Sequence, residues 1–438
     1  MKILKFGGTS VGSPERMKAL RTLIVNDEPK IVVLSAMSGT TNSLVEIASF
    51  FALKEYEKAA AAIKNLEEKY AFVVKELYET AEYNAKATAV LKERFDEIKT
   101  AASLATVEAN VRERIILAQG ELISTMLQNF YLNETGVKSV LLPALNFMRK
   151  DLNDEPDMFF ISEILKREIA QYPDCRLFIT QGYICRNYAG EIDNLKRGGS
   201  DYSASIIGAA TGAEEVQIWT DIDGFHNNDP RVVEKTHSIS HLSFDEAAEL
   251  AYFGAKILHP ACVIPVQEAG IPLRIKNTMD PNAFGTLISD ETKSEDIKAV
   301  AAKDNITAIK IKSGRMLLAY GFLRKIFEVF EKYKTSIDMI TTSEVAVSLT
   351  VDDITHLDAI TGEIKKFGTV EIDKNMSIIS IVGNKISESK GATAKIFGAL
   401  NDIPVRMISF GGSRYNISLL VEECHKKSAM EALNQKLF

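Results

Sequence analysis

The sequence is poor in cysteine, and its four cysteines lie far apart in a chain of 438 residues: Cys175, Cys185, Cys262 and Cys424. No Cys-x-x-Cys pair occurs. This spacing argues against a disulfide framework and against a zinc knuckle, because both require cysteines in closely spaced sets. The sequence therefore predicts free thiols, which are typical of the cytoplasm.

Long apolar runs and an excess of basic charge are also absent. No stretch of 18 apolar residues occurs, and residues 1–11 lack an apolar core long enough for a signal peptide, so we expect no membrane partner. The 52 Lys and Arg against 59 Asp and Glu give a net charge of −7, which argues against nucleic acid. We expect a cytoplasmic globular protein of two or three domains, at roughly 150 residues each.

The signatures of two hydrolase classes are missing. No Gly-x-Ser-x-Gly elbow occurs, and no His-Glu-x-x-His, which excludes a zinc protease of that type. Candidate chemistry therefore has to be sought in the glycine-rich turns.

Apolar runs alternate with helical periodicity over roughly the first 290 residues. Between residues 40 and 119 there is neither Gly nor Pro, and apolar residues recur there at helical steps of three and four. These are Ile63, Leu66, Tyr70, Val73 and Leu77. Strands are predicted at 2–6, 31–36, 137–142, 176–184, 215–220 and 272–276, and a small-residue helix at 202–212. Such alternation predicts a mostly parallel sheet covered by helices on both faces.

A polar, acidic segment at 289–296 is interpreted as a linker, and an internal repeat of about 70 residues follows it. The matches are Gly321 with Gly391, Lys325-Ile326-Phe327 with Lys395-Ile396-Phe397, Met339 with Met407, and Ser348 with Ser418. Each copy is predicted to form a strand, a helix led by glycine and two further strands.

Two glycine pairs stand where strands or helices begin or end. Lys5, Gly7 and Gly8 lie at the end of the first strand, where glycines let backbone N–H groups approach phosphate and a lysine supplies charge. Arg197-Gly198-Gly199-Ser200-Asp201 precedes a small-residue helix and suits a carboxylate, which an arginine grips bidentately. An ordinary strand-to-helix turn and a plain helix cap are the alternatives for the two motifs.

Two further motifs are weaker in isolation. Thr220-Asp221 follows an apolar strand and leads to Asp229-Pro230-Arg231, at a place where α/β proteins bind ligands; a polar turn is the alternative. Phe253-Gly254-Ala255-Lys256 puts a lysine beside a helix break, and an exposed lysine is the simpler interpretation.

Taken in order, these four motifs resemble those of the aspartate kinase family, and the doubled tail with Ile340–Val345 resembles the paired ACT domains of its monofunctional, lysine-sensitive branch. The resemblance implies an α/β protein: an amino-acid-kinase fold, which is an αβα sandwich with a mostly parallel sheet, followed by two α+β, ferredoxin-like ACT modules. It implies a catalytic domain at 1–292 and a regulatory domain at 297–438. The first module would span about 306–374 and the second about 376–438, with a contribution from 297–305.

The resemblance also implies the reaction and its residues. ATP, with Mg²⁺, would phosphorylate the β-carboxylate of L-aspartate at the first step of lysine, threonine and methionine synthesis. The implied catalytic residues are Lys5 and Asp201. The implied aspartate site is Ser35, Thr41, Glu121, Arg197 and Ser200. The implied ATP site is Lys5, Gly7, Gly8, Thr9, Thr220, Asp221, Arg231 and Lys256, and no side chain is assigned to a metal.

A feedback site for L-lysine is implied in the first module, with threonine or no effector as alternatives. Its implied residues are Met316, Phe322, Leu323, Ser336, Ile337, Asp338, Thr342, Ser343 and Glu344. A homodimer or a dimer of dimers through the ACT modules is also implied. The rival hypotheses are a kinase for acetylglutamate, a uridylate or glutamate, and an amino-acid sensor without kinase activity.

Overall fold

The computed structural model describes residues 1–103, 108–195, 198–254, 257–290, 297–314 and 320–438. Arg197, Lys256 and Met316 of the predicted sites, and residues 291–296 of the predicted linker, lie outside these ranges. By contacts the chain divides into two compact units. The first unit is Met1–Gly224 with Leu258–Asp290, and the second is Phe225–Ile257 with Glu291–Phe438.

The elements follow the chain in this order: β1 Lys2–Phe6, α1 Pro14–Ile24, β2 Lys30–Leu34, α2 Thr40–Ala52, α3 Tyr56–Leu77, α4 Ala81–Ser103, α5 Ala109–Glu134, β3 Ser139–Leu142, α6 Ala144–Phe147, α7 Met158–Ala170, β4 Leu177–Gln181, β5 Ile184–Arg186, β6 Ile192–Asn194, α8 Gly199–Thr211, β7 Glu215–Thr220, β8 His241–Leu242, α9 Phe244–Tyr252, α10 Ile264–Glu268, β9 Leu273–Asn277, β10 Thr286–Ile288, β11 Ile297–Lys312, α11 Phe322–Lys332, β12 Ile340–Thr342, β13 Ala346–Val351, α12 Leu357–Ile364, β14 Thr369–Gly383, α13 Ala392–Ala399, β15 Met407–Phe410, β16 Asn416–Glu422 and α14 Lys426–Leu437.

A mostly parallel sheet forms the centre of the first unit. Its strands lie in the order β3-β4-β2-β1-β7-β9-β10, and of the pairs between them only β9 with β10 is antiparallel. The strand predicted at 176–184 is divided in the structure. It stops at Gln181 and resumes at Ile184, because Tyr183 turns the backbone to a φ of 67°.

Helices cover both faces of this sheet, as predicted. Side chains alternate along β1, so Leu4 and Phe6 face one large apolar cluster that includes the predicted helix face of α3. Ile3 faces the opposite side, where a Cβ added to Gly208 of α8 would lie 3.8 Å from the Ile3 side chain. The αβα sandwich is therefore confirmed. No helix among the described residues has the length and apolarity needed to cross a bilayer.

One antiparallel sheet forms the centre of the second unit, with its strands in the order β12-β13-β11-β14-β16-β15. The predicted repeat is confirmed: α11 and α13 follow Gly321 and Gly391, whose φ values are 77° and 82°. The long strands β11 and β14 pair at the centre, so each contributes to both copies. The repeat-related residues Met339 and Met407 meet in one buried cluster, which also contains Phe253.

Candidate active site

The predicted kinase residues of the first unit gather at one edge of its parallel sheet. Phe6 pairs with Leu34 of β2 on one side and with Trp219 of β7 on the other. Gly7 and Ser35 follow their strands, and Thr220 ends β7, at the same edge. The chain order reverses around β1, and such a reversal at the carboxyl ends of strands is where open α/β sheets bind ligands.

A lysine–aspartate pair stands at the centre of this edge. Lys5 lies on the same face of β1 as Ile3, which is the face that α8 covers, and Asp201 lies in the first turn of α8. Lys5 Nζ and Asp201 Oδ1 are 2.7 Å apart, and the two side chains are 12 % and 18 % exposed. Strand alternation thus brings together two residues nearly 200 positions apart.

The glycine pair after β1 leaves little space for side chains. A Cβ on Gly7 would lie 3.4 Å from Lys5 Nζ, so the ammonium group lies over this glycine. A Cβ on Gly8 would lie 2.8 Å from the carbonyl oxygen of Ala36, and Ser38 N–H donates to Gly8 O at 3.1 Å. The missing side chains let the loops after β1 and β2 pack directly on each other.

Three predicted aspartate-site residues form a connected group. Ser35 Oγ and Ser200 Oγ are 2.9 Å apart, and Glu121 Oε1 accepts the N–H of Ala36 at 3.2 Å. Ser124, which the sequence analysis did not identify, donates to Ser35 O at 2.8 Å. Its position one helical turn after Glu121 on α5 was the available signal.

Glu121 is an unusual carboxyl group, because its side chain is 4 % exposed. Burial raises its pKa to about 7, and the hydrogen bond from Ala36 opposes part of that shift. Desolvation penalises the carboxylate, so this group changes charge near neutral pH. A buried carboxylate of this kind would readily accept a cationic partner.

The remaining predicted residues are placed as follows. Thr9 is exposed in the turn after β1, and its carbonyl accepts from Arg16 at 2.6 Å. Thr41 is exposed in the first turn of α2. Thr220 ends β7, with its Oγ1 3.2 Å from Asp221 Oδ1. Arg231 belongs to the second unit and pairs with both oxygens of Asp229, at 2.9 and 2.8 Å.

A buried ion cluster was missed by the sequence analysis. Asp193 on β6 contacts Lys150 Nζ at 2.7 Å and Arg114 Nε of α5 at 3.1 Å, although Asp193 and Lys150 are 4 % and 3 % exposed. Lys150 Nζ also lies 3.3 Å from Asn194 O. The cluster joins α5, which carries Glu121, to the strand that leads towards Gly198 and α8. These three residues are too far apart in sequence for a spacing pattern to reveal them.

The predicted effector residues of the first module lie on α11 and on the segment around β12. Phe322 and Leu323 begin α11, and Ile337 is partly buried. Ser336, Thr342, Ser343 and Glu344 are exposed. Asp338 differs: its side chain is 1 % exposed and its Oδ1 lies 2.7 Å from Lys303 Nζ, a residue that the sequence analysis did not identify. Burial raises the pKa of Asp338, while Lys303 opposes the shift.

The structure also places the four cysteines and one group of possible metal ligands. All four cysteines are free, as predicted, and burial raises the pKa of the Cys185 thiol to about 12. Among the described residues, one group has ligand atoms close enough for a metal ion: Glu422, Cys424 and His425 in the second unit. It contains none of the predicted kinase residues.

Comparison with known proteins identifies the family. The model of the amino acid kinase family matches residues 1–277, and an ACT domain model matches residues 379–437. Lysine-sensitive aspartokinase 3 of Escherichia coli strain K12 is 33 % identical over 100 % of this chain and 99 % of its own.

Solved structures agree with this assignment. E. coli aspartokinase III in complex with aspartate and ADP superposes with a TM-score of 0.84, at 32 % identity and complete coverage of both chains. The structure of the same relative in complex with lysine and aspartate superposes with a TM-score of 0.83, at 32 % identity. The match covers 100 % of this chain and 99 % of that chain. The motifs, the αβα sandwich with its paired regulatory modules, and these full-length similarities together show that the chain belongs to the amino acid kinase family and, within it, to the aspartokinases.

Proposed function

We propose that the chain transfers the γ-phosphoryl group of ATP to the β-carboxylate of L-aspartate, giving ADP and 4-phospho-L-aspartate. The observation that carries this proposal is the Lys5–Asp201 pair at the edge of the parallel sheet, beside the Gly7-Gly8 turn. The 4-phospho-L-aspartate formed by this reaction would enter lysine, threonine and methionine synthesis.

The reaction needs positive charge and alignment more than it needs a base. The attacking β-carboxylate is already an anion, and it is repelled by the phosphate that it must approach. Lys5 would neutralise charge on the transferring group, and Asp201 would hold the Lys5 ammonium in place until the nucleotide arrives. Gly7, Gly8 and Thr9 would line the phosphates with backbone N–H groups.

L-Aspartate would be recognised through its three charges. Glu121 would accept the α-ammonium group and Arg197 the α-carboxylate, since an arginine fork matches a carboxylate. Ser35, Thr41 and Ser200 would complete the site with hydroxyl groups. The close contact between Ser35 and Ser200 supports this assignment, because it joins the turn after β2 to the first turn of α8.

The other residues proposed for the nucleotide are Thr220, Asp221, Arg231 and Lys256. Mg²⁺ would neutralise and orient the phosphates of the nucleotide. The described residues fit such an ion, because magnesium in kinases is held largely by phosphate oxygens with one or two carboxylates, and Asp201 is a carboxylate that this edge offers.

We assign residues 1–292 to catalysis and 297–438 to regulation, with modules at 306–374 and 376–438. The pairing of β11 with β14 supports a contribution of 297–305 to the second module, because Lys303 and Ala302 face Ile378 and Ile379. A homodimer or dimer of dimers through the modules is part of the proposal. Exposed apolar residues on edge strands, Ile340 on β12 and Phe410 on β15, support it.

L-Lysine is the proposed feedback inhibitor, and it would bind in the first module. The residues that support this are Ser336, Asp338, Thr342, Ser343 and Glu344, which offer carboxylates for ammonium groups and hydroxyls for a carboxylate. Phe322, Leu323, Ile337 and Met316 would surround the aliphatic chain. The lysine-sensitive E. coli relative, solved with lysine, supports the same choice.

One assay tests the reaction and the effector together. ADP release should require L-aspartate, and millimolar lysine should suppress it while threonine should not. Acetylglutamate, glutamate and UMP in place of aspartate test the rival kinases. ADP release with one of these and not with aspartate would contradict the proposed substrate, and no release with any would favour a sensor.

A further inference from the structure

Repeat-related positions of the two modules carry ion pairs of opposite polarity. Lys303 Nζ lies 2.7 Å from Asp338 Oδ1 in the first module. In the second, Arg406 Nε donates to Asp373 Oδ2 at 2.9 Å. Lys303 corresponds to Asp373 and Asp338 to Arg406, so the cation and the carboxylate have exchanged positions between the two modules.

The two sites correspond in backbone conformation as well as in sequence position. Asn305 and Asn375 stand two residues after the first member of each pair, and both adopt a left-handed backbone, with φ of 61° and 58°. An acidic residue at the end of a strand also occupies the same place in each site. In the first module it is Asp352, which follows β13 and whose Oδ2 lies 2.8 Å from Lys303 Nζ; in the second it is Glu422, which ends β16.

The two sites differ in what covers them. In the first module, Tyr252 at the end of α9 donates its hydroxyl to Asp338 Oδ1 at 3.0 Å, and Lys303 Nζ lies 4.8 Å from the centre of the Tyr252 ring. In the second module, the equivalent place is an open pocket of about 800 Å³ lined by Asp373, Arg406 and Glu422, among others.

We propose that the first-module site is selective for an alkylammonium group, that Lys303 is its built-in occupant, and that a cationic effector acts by displacing the Lys303 ammonium from Asp338. This inference rests on the proposed feedback by lysine. The second-module site has Arg406 where Asp338 stands, so its carboxylate Asp373 comes from the other position of the pair.

Asp338 still has capacity for a ligand. Its Oδ2 is buried and has no hydrogen-bond partner among the described residues, and such an acceptor favours an incoming ammonium donor. Lys303 is a tethered, intramolecular competitor for Asp338, so a free ligand must displace it in order to bind. A free lysine overcomes it through contacts that Lys303 lacks, above all those of its own α-carboxylate.

Displacement of Lys303 would change the contacts at the end of α9. Tyr252 loses its cation partner, Phe253 is packed in the buried cluster with Met339, and a Cβ on Gly254 would lie 1.9 Å from Ala302 O on β11. The chain continues directly from Gly254 to Lys256, a residue of the proposed nucleotide site. The effector and the nucleotide segment are therefore linked by one short stretch of chain.

Lys303→Met in the full-length protein tests this inference. Removing the competitor should lower the lysine concentration for half-inhibition by about 5- to 10-fold, and isothermal titration should show correspondingly tighter lysine binding. L-Norleucine, which has the same chain without the ε-ammonium group, should not inhibit the parent. If Lys303→Met unfolds on heating at a much lower temperature than the parent does, Lys303→Gln replaces it as the test variant.

Arg406→Met is the matched control, because it removes the cation at the equivalent position of the second module. It should leave the midpoint for lysine at the parent value. A parent that neither binds lysine nor is inhibited by it would overturn the proposed effector and this inference together. If the parent is inhibited but the Lys303 variants show an unchanged or higher midpoint, Lys303 is structural and this inference alone fails.

Discussion

At the scale of single residues, Lys5 is the side chain whose removal should be most damaging to turnover. Lys5→Ala takes away a charge aimed at the phosphoryl group, so kcat should fall on the order of 100- to 1000-fold while the protein stays folded. Lys2→Ala on the same strand is the control, since Lys2 pairs with Glu28 and not with Asp201. Circular dichroism together with steady-state kinetics makes the comparison. Turnover of Lys5→Ala within a few-fold of the parent would remove Lys5 from the mechanism.

Glu121 should give aspartate binding a pH dependence. Its folded pKa is about 7, so the carboxylate that attracts the substrate ammonium forms as the pH rises through neutrality. The KM for aspartate should therefore fall between about pH 6 and about pH 8, and Glu121→Gln should raise the KM and abolish that dependence. A pH profile of the KM that is the same in both proteins would argue against the assignment.

The same group should make the unliganded protein less stable at high pH. A folded pKa above the unfolded value means that its contribution to stability is present below about pH 4.5 and is lost as the pH rises through 7. A shift from 4.5 to about 7 corresponds to about 3 kcal/mol. Urea unfolding should therefore show Glu121→Gln gaining stability relative to the parent above neutrality. A constant difference at every pH would contradict the buried carboxylate.

At the scale of elements, the contact between the turns after β1 and β2 depends on Gly8. In Gly8→Ala, the methyl group would lie 2.8 Å from the Ala36 carbonyl oxygen, so the two turns have to separate. Displacing catalytic groups by this kind of shift costs on the order of 100-fold in kcat/KM. Gly398→Ala is the control, because open space surrounds that helical glycine. Equal activities of the two variants would mean that the turns adapt.

The ion cluster at Asp193 should stabilise the connection between α5 and β6. Asp193→Asn takes the carboxylate away from Arg114 and leaves Lys150 with Asp154 as its remaining carboxylate partner, so the free energy of unfolding should fall by about 2 kcal/mol. Asp157→Asn, which breaks the more exposed pair with Arg149, should cost about 1 kcal/mol or less and keep its cap on α7. Urea titrations measure both. Similar losses in the two variants would show that burial does not distinguish the pairs.

At the scale of the whole molecule, feedback should be separable from catalysis. Glu344 and Thr342 belong to the second unit, whereas Lys5 and Asp201 belong to the first. Glu344→Ala and Thr342→Ile should relieve lysine inhibition and leave the uninhibited kcat near the parent value, since an effector acts through ~1–3 kcal/mol of coupling. Glu431→Ala on α14 is the exposed control. Unchanged dose–response curves in both variants would remove these residues from the effector site.

Local patterns determined much of this fold. Three features could be predicted from the sequence because they depend on the pattern of residues along the chain. They are the alternation of strands and helices, the helix face of α3 and the 70-residue repeat. The division of the strand at Tyr183 and the start of α8 at Gly199 rather than at 202 were not predicted, because both depend on left-handed backbone at single residues.

The sequence by itself also determined which motifs stand at the ends of the strands, since a glycine pair with a lysine has a recognisable order. Tertiary structure decided which residues meet. Asp201 reaches Lys5, Ser35 reaches Ser200, and Asp338 reaches Lys303 across separations that no spacing rule spans. The tertiary structure also raises the pKa of Glu121. Burial is a property of the packed fold, and a carboxyl group has no such environment in the extended chain.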